Sequence, residues 1–361
     1  MQVALSSGCF VGYESLIVGS GVKAVELSCV RADRFAEVIG LIQTAGIRIT
    51  SIHTPCPGRG VTLNLGATGD QWHATKKGLL EAGDIARECG AKFVVAHAFY
   101  CVSGALPADD LARMRVLRGR LSDEMKMADF VASASYQAAK AQAVKNLKHI
   151  MHAWKRRFPE HKLIIENLNP RIGYGGILFQ DVVDIANVMD GDVGICLDIG
   201  HLTLAQTALG TDMHASVARA RDLIWSVHVH DNFAGRHAAD RRWNASTPDQ
   251  ELQEVDVHLP FLTRYRSLAE NVGFHVQPDN VAFEGILCGS AQYAAKPVME
   301  DELLSGSVPV GQLLGLLSDE VHIVLEFDSR YAPLDEILNE YHLFDRGIHP
   351  KLKQTLCVGG Q

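Results

Sequence analysis

The side chains best suited to chemistry stand at the ends of apolar segments. In six places an apolar run leads directly into a histidine or a carboxylate. Strands buried on both faces read as near-continuous Val/Ile/Leu runs, so a ligand repeated at their ends indicates parallel strands that converge on one site. Imidazole and carboxylate groups suit metal-assisted chemistry on oxygen-bearing substrates. The candidates are His53, His97, Glu166, Asp198, His201, His228, His230 and Glu326.

The elements that must position these residues form a repeating pattern. Eight apolar runs have the length of strands, and segments with helical periodicity lie between them. This alternation favours βαβ units and a parallel sheet. We therefore predict an α/β fold, a (β/α)8 TIM barrel with its chemistry at the carboxyl-terminal rim. The predicted strands are 2–7, 22–28, 47–53, 92–97, 162–167, 193–198, 224–230 and 321–326. The predicted helices are 32–45, 71–89, 136–157, 179–189, 212–222, 310–317 and 333–344.

The chain length fits one barrel, because α/β barrels often exceed the usual domain size as a single unit. We predict one TIM-barrel domain over residues 1–361, with long insertions at about 98–135 and 232–320. Both insertions follow predicted strand ends, so both are expected to lie over the rim. Gly46 and Gly90 follow predicted helices and are expected to end them in the left-handed conformation.

Alternation along a strand predicts which face carries the chemistry. In WSVHVH, the residues Ser226, His228 and His230 share one face. Val227 and Val229 share the other, and the segment HIVLE divides in the same way. The polar face is expected to be the barrel interior.

Composition and charge are typical of a soluble enzyme. The chain is 47% hydrophobic and 21% charged, which allows a large core. A net charge of −8 argues against a broad nucleic-acid surface, although a local basic groove would escape this test. The eight cysteines form no CxxC pair, and neither a signal peptide nor a membrane span is recognisable. We expect a cytoplasmic protein.

The buried carboxylates need positive partners. An unpaired carboxylate within a strand is very costly, so Glu166, Asp198 and Glu326 each require a cation. A structural salt-bridge network is the alternative, but the predicted strands supply few Lys or Arg residues. Metal binding is therefore the favoured interpretation. Asp256 and His258, two residues apart in EVDVHLP, are further candidates whose alternative role is a solvated loop.

Together these segments resemble the xylose isomerase-like TIM barrels, a superfamily that includes AP endonuclease family 2, endonuclease IV and the sugar 3-epimerases. The resemblance rests on HTP, LNLGAT, VVAH, IEN, CLDIGH, HVHDN, DVHLP and LEF, which occur in the family's order between about residues 50 and 326. It implies one to three divalent ions per chain (Mn, Zn, Mg, Co or Fe). The positions that match a single-metal epimerase site are Glu166, Asp198, His228 and Glu326. The positions that match the additional ligands of a three-zinc site are His53, His97, His201, Asp256 and His258.

The resemblance implies two enzyme classes. The leading hypothesis is an isomerase or epimerase of a small sugar-like substrate, in which Glu166 and Glu326 transfer a proton next to a metal-polarised carbonyl. The alternative is a multinuclear hydrolase or lyase, including an endonuclease IV-like phosphodiesterase, in which clustered metals stabilise the entering and leaving oxygens. A sensing barrel without turnover is a third, non-enzymatic alternative. The residues expected to bind substrate are His201, His230, Arg236 and Glu26.

The chain also departs from the family pattern. About 60 residues separate His258 from the strand that leads to Glu326, where a short glycine-rich link is usual. The resemblance leaves substrate, phosphorylation and metal identity open, and a homo-oligomer is a further expectation.

Overall fold

Eight parallel strands close into a barrel in the computed structural model of the chain. Each strand pairs with its neighbours in sequence, and the last pairs with the first. The predicted (β/α)8 TIM-barrel class is thereby confirmed. The structure describes residues 2–10, 14–28, 30–58, 62–101, 127–170, 173–232, 258, 260–261, 308–327 and 334–349.

All eight predicted strands are present, each within two residues of its expected bounds at either end. They are β1 Gln2–Ser6, β2 Ala24–Leu27, β3 Arg48–His53, β4 Phe93–His97, β5 Lys162–Glu166, β6 Val193–Asp198, β7 Ile224–Val229 and β8 His322–Leu325. A two-stranded antiparallel ribbon joins Phe99–Tyr100 to Tyr174–Gly175 at the carboxyl-terminal end of the barrel.

The helices of the described ranges surround the barrel. They are α1 Phe35–Thr44, α2 Gly69–Cys89, α3 Met127–Ala132, α4 Ala134–Arg157, α5 Phe179–Val188, α6 Ile199–Leu209, α7 Met213–Ala220, α8 Val310–Leu314 and α9 Leu334–Asp345. Short 3-10 turns occupy Ser7–Phe10, Glu14–Ile17 and Arg221–Leu223. None of these helices is long and apolar enough to cross a lipid bilayer.

Local sequence explains several helix boundaries. Gly46 and Gly90 adopt φ of 67° and 71°, so both follow their helices in the left-handed conformation as predicted. The Ser133 side chain caps α4 by accepting a hydrogen bond from the Tyr136 N–H. Asp198 caps α6 in the same way by accepting from the His201 N–H at 2.7 Å.

Helix α6 is absent from the sequence prediction. Its sequence is apolar on nearly every side, and Ile199–Ala205 are all buried. A helix with no polar stripe lacks the periodicity by which amphipathic helices are recognised. The two predicted insertions lie mainly outside the described residues, and only the ribbon strand at Phe99–Tyr100, α3 and α8 fall wholly within them.

The predicted division of strand faces is also confirmed. Val227 and Val229 belong to the main core between the barrel and its helices, whereas His228 faces inward. Each fully buried aliphatic side chain contributes about 1.5–3 kcal/mol to the free energy of unfolding. The lower barrel interior is filled by smaller clusters, which comprise Phe93, Val95, Ile164 and Cys196, and Ala4, Ala24 and Val324.

Strand register places the polar side chains at one level. His97 pairs with Glu166 across β4 and β5, and Asp198 pairs with His228 across β6 and β7. The ligands thus gather above the apolar interior layers, at the carboxyl ends of the strands.

Candidate metal centre

Four candidate metal ligands at the ends of β5 to β8 form what we call the inner group. Their ligand atoms all lie within 4.8 Å of one another. Three of the side chains are at most 1% exposed, and the Glu326 side chain is 19% exposed. The group consists of Glu166, Asp198, His228 and Glu326.

The inner group contains donor atoms that the described residues do not satisfy. Asp198 Oδ2, His228 Nδ1 and Glu326 Oε2 are buried without a hydrogen-bond partner in that part of the chain. His228 Nδ1 and Glu326 Oε2 are 3.1 Å apart but are not oriented to bond each other. Because an unsatisfied buried polar atom costs about 1–3 kcal/mol or more, this arrangement fits residues that share a cation.

Opposite charges within the group alter its protonation. Burial opposes ionisation of Glu166, yet the imidazoles of His228 and His53 hold its pKa well below the usual value. Burial would likewise lower the pKa of His228, but Cys196 and the surrounding carboxylates, including Glu26, hold it well above normal. The carboxylates are therefore ionised and ready to bind a cation.

Glu26 lies beneath the inner group. It is fully buried on β2, and its Oε2 accepts a hydrogen bond of 2.7 Å from Ser51 Oγ. The same oxygen is 3.3 Å from His228 Nε2. When Nε2 donates to this carboxylate, displacement of the Nδ1 proton by a metal would leave the Nδ1 lone pair of His228 facing Glu166 and Glu326, which is the usual orientation of a metal-binding histidine. The predicted substrate role of Glu26 is untested, but its observed contacts are with these two side chains.

A second group joins His53 and His97 to Glu166. His53 Nε2 lies 2.8 Å from Glu166 Oε2, and His97 Nε2 lies 3.7 Å from the same oxygen. Although burial favours the neutral form, the Glu166 carboxylate raises the pKa of His53 to about 9. Burial dominates at His97 and lowers its pKa to about 4. Glu166 therefore belongs to two ligand groups.

A third set, the imidazole group, consists of His201, His230 and His258. His201 stands in the first turn of α6, and His230 directly follows β7. The rings of His230 and His258 stack at 3.8 Å with an interplanar angle of 5°. His230 Nε2 also lies 3.2 Å from Asp198 Oδ1, so this group borders the inner group.

The structure assembles ten of the twelve predicted site residues within this centre. Arg236 and Asp256 lie outside the described residues, so their predicted roles stay predictions. Two contributors were missed: Tyr100, whose hydroxyl bonds His97 Nδ1, and Asn167. Asn167 exchanges hydrogen bonds with the Asp198 backbone at 2.8 and 2.9 Å and so fixes the end of β6. The asparagine directly after the ligand in IEN is the sequence signal that could have identified it.

Comparisons with known proteins agree with this barrel. The family profile described as xylose isomerase-like TIM barrel matches residues 16–261. A search of curated proteins gave no match.

Solved structures share the fold at low identity. A D-tagatose 3-epimerase-like protein has a TM-score of 0.54 and 16% identity, over 96% of this chain and 98% of that chain. A putative xylose isomerase from Rhodospirillum rubrum has a TM-score of 0.50 and 13% identity, over 82% and 100%. Endonuclease IV from Thermus thermophilus has a TM-score of 0.46 and 15% identity, over 98% and 100%. Likeness at this level of identity concerns the fold alone.

Proposed function

The chain belongs to the xylose isomerase-like TIM barrel family, and on this premise we propose that it is a multinuclear metal hydrolase of a small, sugar-like phosphate ester. The observation that carries this proposal is the position of Glu166 in two ligand groups. A single-metal isomerase site requires only the inner group. The additional histidines around the shared carboxylate favour the hydrolase alternative over the isomerase that led the sequence prediction.

The candidate ligands differ in how far their side chains are exposed to solvent. Glu166, Asp198 and His228 are almost completely buried and would hold ions from below. The more accessible side chains are His97, 28% exposed, His258, 20% exposed, and Glu326, 19% exposed. A substrate entering from the rim therefore meets these three side chains before it reaches Glu166 and Asp198.

Bound divalent ions would supply positive charge to phosphate oxygens and lower the pKa of water. The residues of the chain would orient the metal-binding side chains and exclude bulk solvent from them. Tyr100 fixes the ring of His97, and Asn167 fixes the strand end that carries Asp198. Val324 and Cys196 fill the barrel interior below, so the reacting groups are approached from the rim side alone.

The isomerase or epimerase remains a second candidate because of the two glutamates. Glu166 Oε1 and Glu326 Oε2 lie 3.4 and 3.1 Å from the same His228 nitrogen. Two carboxylates this close to one point are suitably placed to exchange a proton with one substrate carbon.

Two readouts separate these candidates. Protein purified without chelator is analysed for metal by mass spectrometry and assayed on a panel of sugar phosphates for phosphate release. Parallel reactions with sugars in deuterated water report proton exchange at carbon. We expect more than one ion per chain together with phosphate release. One ion per chain, with deuterium incorporation and no phosphate release, would support the isomerase instead.

A further inference from the structure

The loop between β3 and α2 carries the LNLGAT motif, which contains no candidate metal ligand. Within this motif Asn64 is fully buried. Its side-chain Oδ1 accepts a hydrogen bond from the Gly66 N–H at 2.8 Å and another from the Tyr100 N–H at 2.9 Å. The first bond closes a local turn, whereas the second joins residues that are 36 positions apart. The Asn64 side chain therefore connects this loop to the ribbon that follows β4.

Tyr100 lies on a ribbon of only two strands. Phe99–Tyr100 pairs with Tyr174–Gly175 on one side, so the backbone groups of its opposite edge need partners from elsewhere. The Asn64 carboxamide oxygen supplies a partner for the buried N–H of Tyr100. Because a buried N–H without an acceptor is unfavourable, this bond fixes the main chain at Tyr100.

Gly66 allows the loop and the ribbon to approach closely. A Cβ at this position would lie 2.9 Å from the Tyr100 carbonyl oxygen and 3.2 Å from that of Ala139. Both are main-chain atoms, which cannot swing aside as the end of a flexible side chain does. Glycine at this position therefore brings Asn64 within reach of the Tyr100 backbone.

The loop itself is held by two helices. Asn146 on α4 donates from Nδ2 to the carbonyl oxygens of Leu65 and Ala67, at 2.7 Å each. The Asn64 N–H donates to Thr75 Oγ1 on α2 at 3.0 Å. Asn64 thus stands on a loop that is bonded on both sides, and it gives Tyr100 a firm support.

Tyr100 in turn contacts the candidate ligand His97. Its hydroxyl bonds His97 Nδ1, and the other ring nitrogen, Nε2, lies 3.7 Å from Glu166 Oε2. A neutral imidazole has one N–H, so the partner of Nδ1 determines the tautomer and the direction in which Nε2 points. When Nε2 binds a metal, Nδ1 carries the proton and donates it to the Tyr100 oxygen, which is the usual outer contact of a histidine ligand.

We propose that Asn64 is a positioning residue for His97. By fixing the backbone of Tyr100, it holds the hydroxyl that orients the His97 ring toward Glu166. The LNLGAT motif then serves the metal centre through Tyr100 without contributing a ligand. This inference rests on the proposed function only in that His97 is a metal ligand, since the contacts themselves involve no ion.

The test observes the His97 ring directly in chelator-stripped protein near neutral pH. Long-range proton–nitrogen NMR distinguishes the two tautomers of a neutral imidazole, and the His97 signals are identified by their loss in His97→Gln. The wild type is expected to show one tautomer. Asn64→Leu keeps the side-chain size but removes the acceptor, and it should show a mixture of tautomers, as should Tyr100→Phe. Asn64→Asp retains an acceptor oxygen and should restore the wild-type signals.

Zinc binding supplies a second measurement. Titration of the same protein with Zn²⁺ against a chelating dye should show two ions per chain in the wild type. Asn64→Leu and Tyr100→Phe should each weaken the second ion by about tenfold, as expected for outer contacts of a metal ligand, and leave the first unchanged. Thr75→Val is the matched control, because it removes another hydrogen bond of the same loop. It should lower the unfolding temperature but keep the wild-type His97 signals.

The outcomes separate this inference from the proposed function. Wild-type His97 signals in folded Asn64→Leu would overturn the inference, because the asparagine would then only stabilise its loop. If Asn64→Leu fails to fold, Gly66→Ala tests the same contact by displacing the loop from Tyr100, and wild-type signals there would overturn the inference equally. A wild type that binds a single zinc ion, together with the expected NMR changes in the variants, would overturn the proposed multinuclear function and leave the role of Asn64 intact.

Discussion

The inner group and the imidazole group are adjacent but are built differently. The inner group stands on strand ends whose level is set by the barrel register, as in the pairing of Asp198 with His228. The imidazole group stands on the first turn of α6 and on segments that follow β7 and precede β8. Its orientation depends on main-chain carbonyls and on the space at Gly200. Strand pairing thus fixes the carboxylates in the barrel interior. The positions of the three histidines depend instead on main-chain carbonyls and on the close approach of Gly200 to the His230 ring.

The difference extends to energetics. Buried carboxylates of the inner group are tolerated because each lies beside imidazoles, and removing a partner from a buried charge costs about 3–5 kcal/mol. Neutral imidazoles bonded to carbonyls carry no such penalty. Disruption of the inner group should therefore have the larger effect on both activity and stability.

The largest expected effect follows from removing the carboxylate shared by two groups. Glu166→Gln should lower turnover on the order of a thousandfold, since the ions it helps to hold supply several kcal/mol of transition-state stabilisation. Metal analysis of the same sample should show fewer ions per chain than in the wild type, because Glu166 belongs to both ligand groups. The matched control is Glu160→Gln, at an exposed position, with wild-type activity. Wild-type metal content and turnover in Glu166→Gln would contradict a shared ligand role for Glu166.

A smaller effect, confined to the imidazole group, is expected from Gly200→Ala. The added methyl group would displace the His230 ring and cost about 1–3 kcal/mol of unfolding free energy. Chemical denaturation measures this loss of stability. Gly40→Ala is a suitable control, because a Cβ there meets no atom within 4 Å. If Gly200→Ala were as stable as the wild type, the close approach of Gly200 to the His230 ring would not constrain this part of the centre.

Most of the strands and most of the candidate site residues could be predicted from the sequence. Eight apolar runs separated by segments with helical periodicity located all eight strands, six of the runs lead into a His, Glu or Asp, and alternation placed His228 inward. His201, His230 and His258 were also named from sequence, but their grouping could not be derived in this way, because α6 lacks a polar stripe and the contact between Gly200 and His230 joins segments 30 residues apart. Tyr100 was missed for a similar reason, since its contact with His97 depends on the short ribbon after β4.

The next effect in size, on the inner group alone, is expected from Glu26→Gln. The amide keeps the shape of the side chain but weakens the charge-assisted bond that orients His228, so inner-group metal affinity should fall about 10–100-fold. Ser51→Ala removes only the hydroxyl hydrogen bond to Glu26, leaves the carboxylate beside His228 in place and should have a smaller effect. Titration of manganese binding by electron paramagnetic resonance measures both variants. Unchanged affinity in Glu26→Gln would show that His228 is oriented without it.

The smallest effect concerns pH. Below a pKa of about 9, His53 carries a proton that must leave before the nitrogen can bind a metal. Metal affinity should therefore rise by up to about tenfold per pH unit toward pH 9 and level off above it. His97, with a pKa of about 4, is already neutral at pH 7 and adds no such dependence.

Calorimetry in buffers of different ionisation enthalpy measures the protons released on binding. His53→Gln should release fewer protons than the wild type, whereas His97→Gln should retain the dependence on pH. Identical proton release from the wild type and His53→Gln would contradict the assigned ion pair between His53 and Glu166.

The most direct test of the proposed multinuclear centre is anomalous X-ray diffraction from crystals loaded with zinc and manganese, collected at both absorption edges. We expect one metal peak within Glu166, Asp198, His228 and Glu326 and a second between His53, His97 and Glu166. A single peak in the inner group, with no density between His53 and His97, would contradict the proposal.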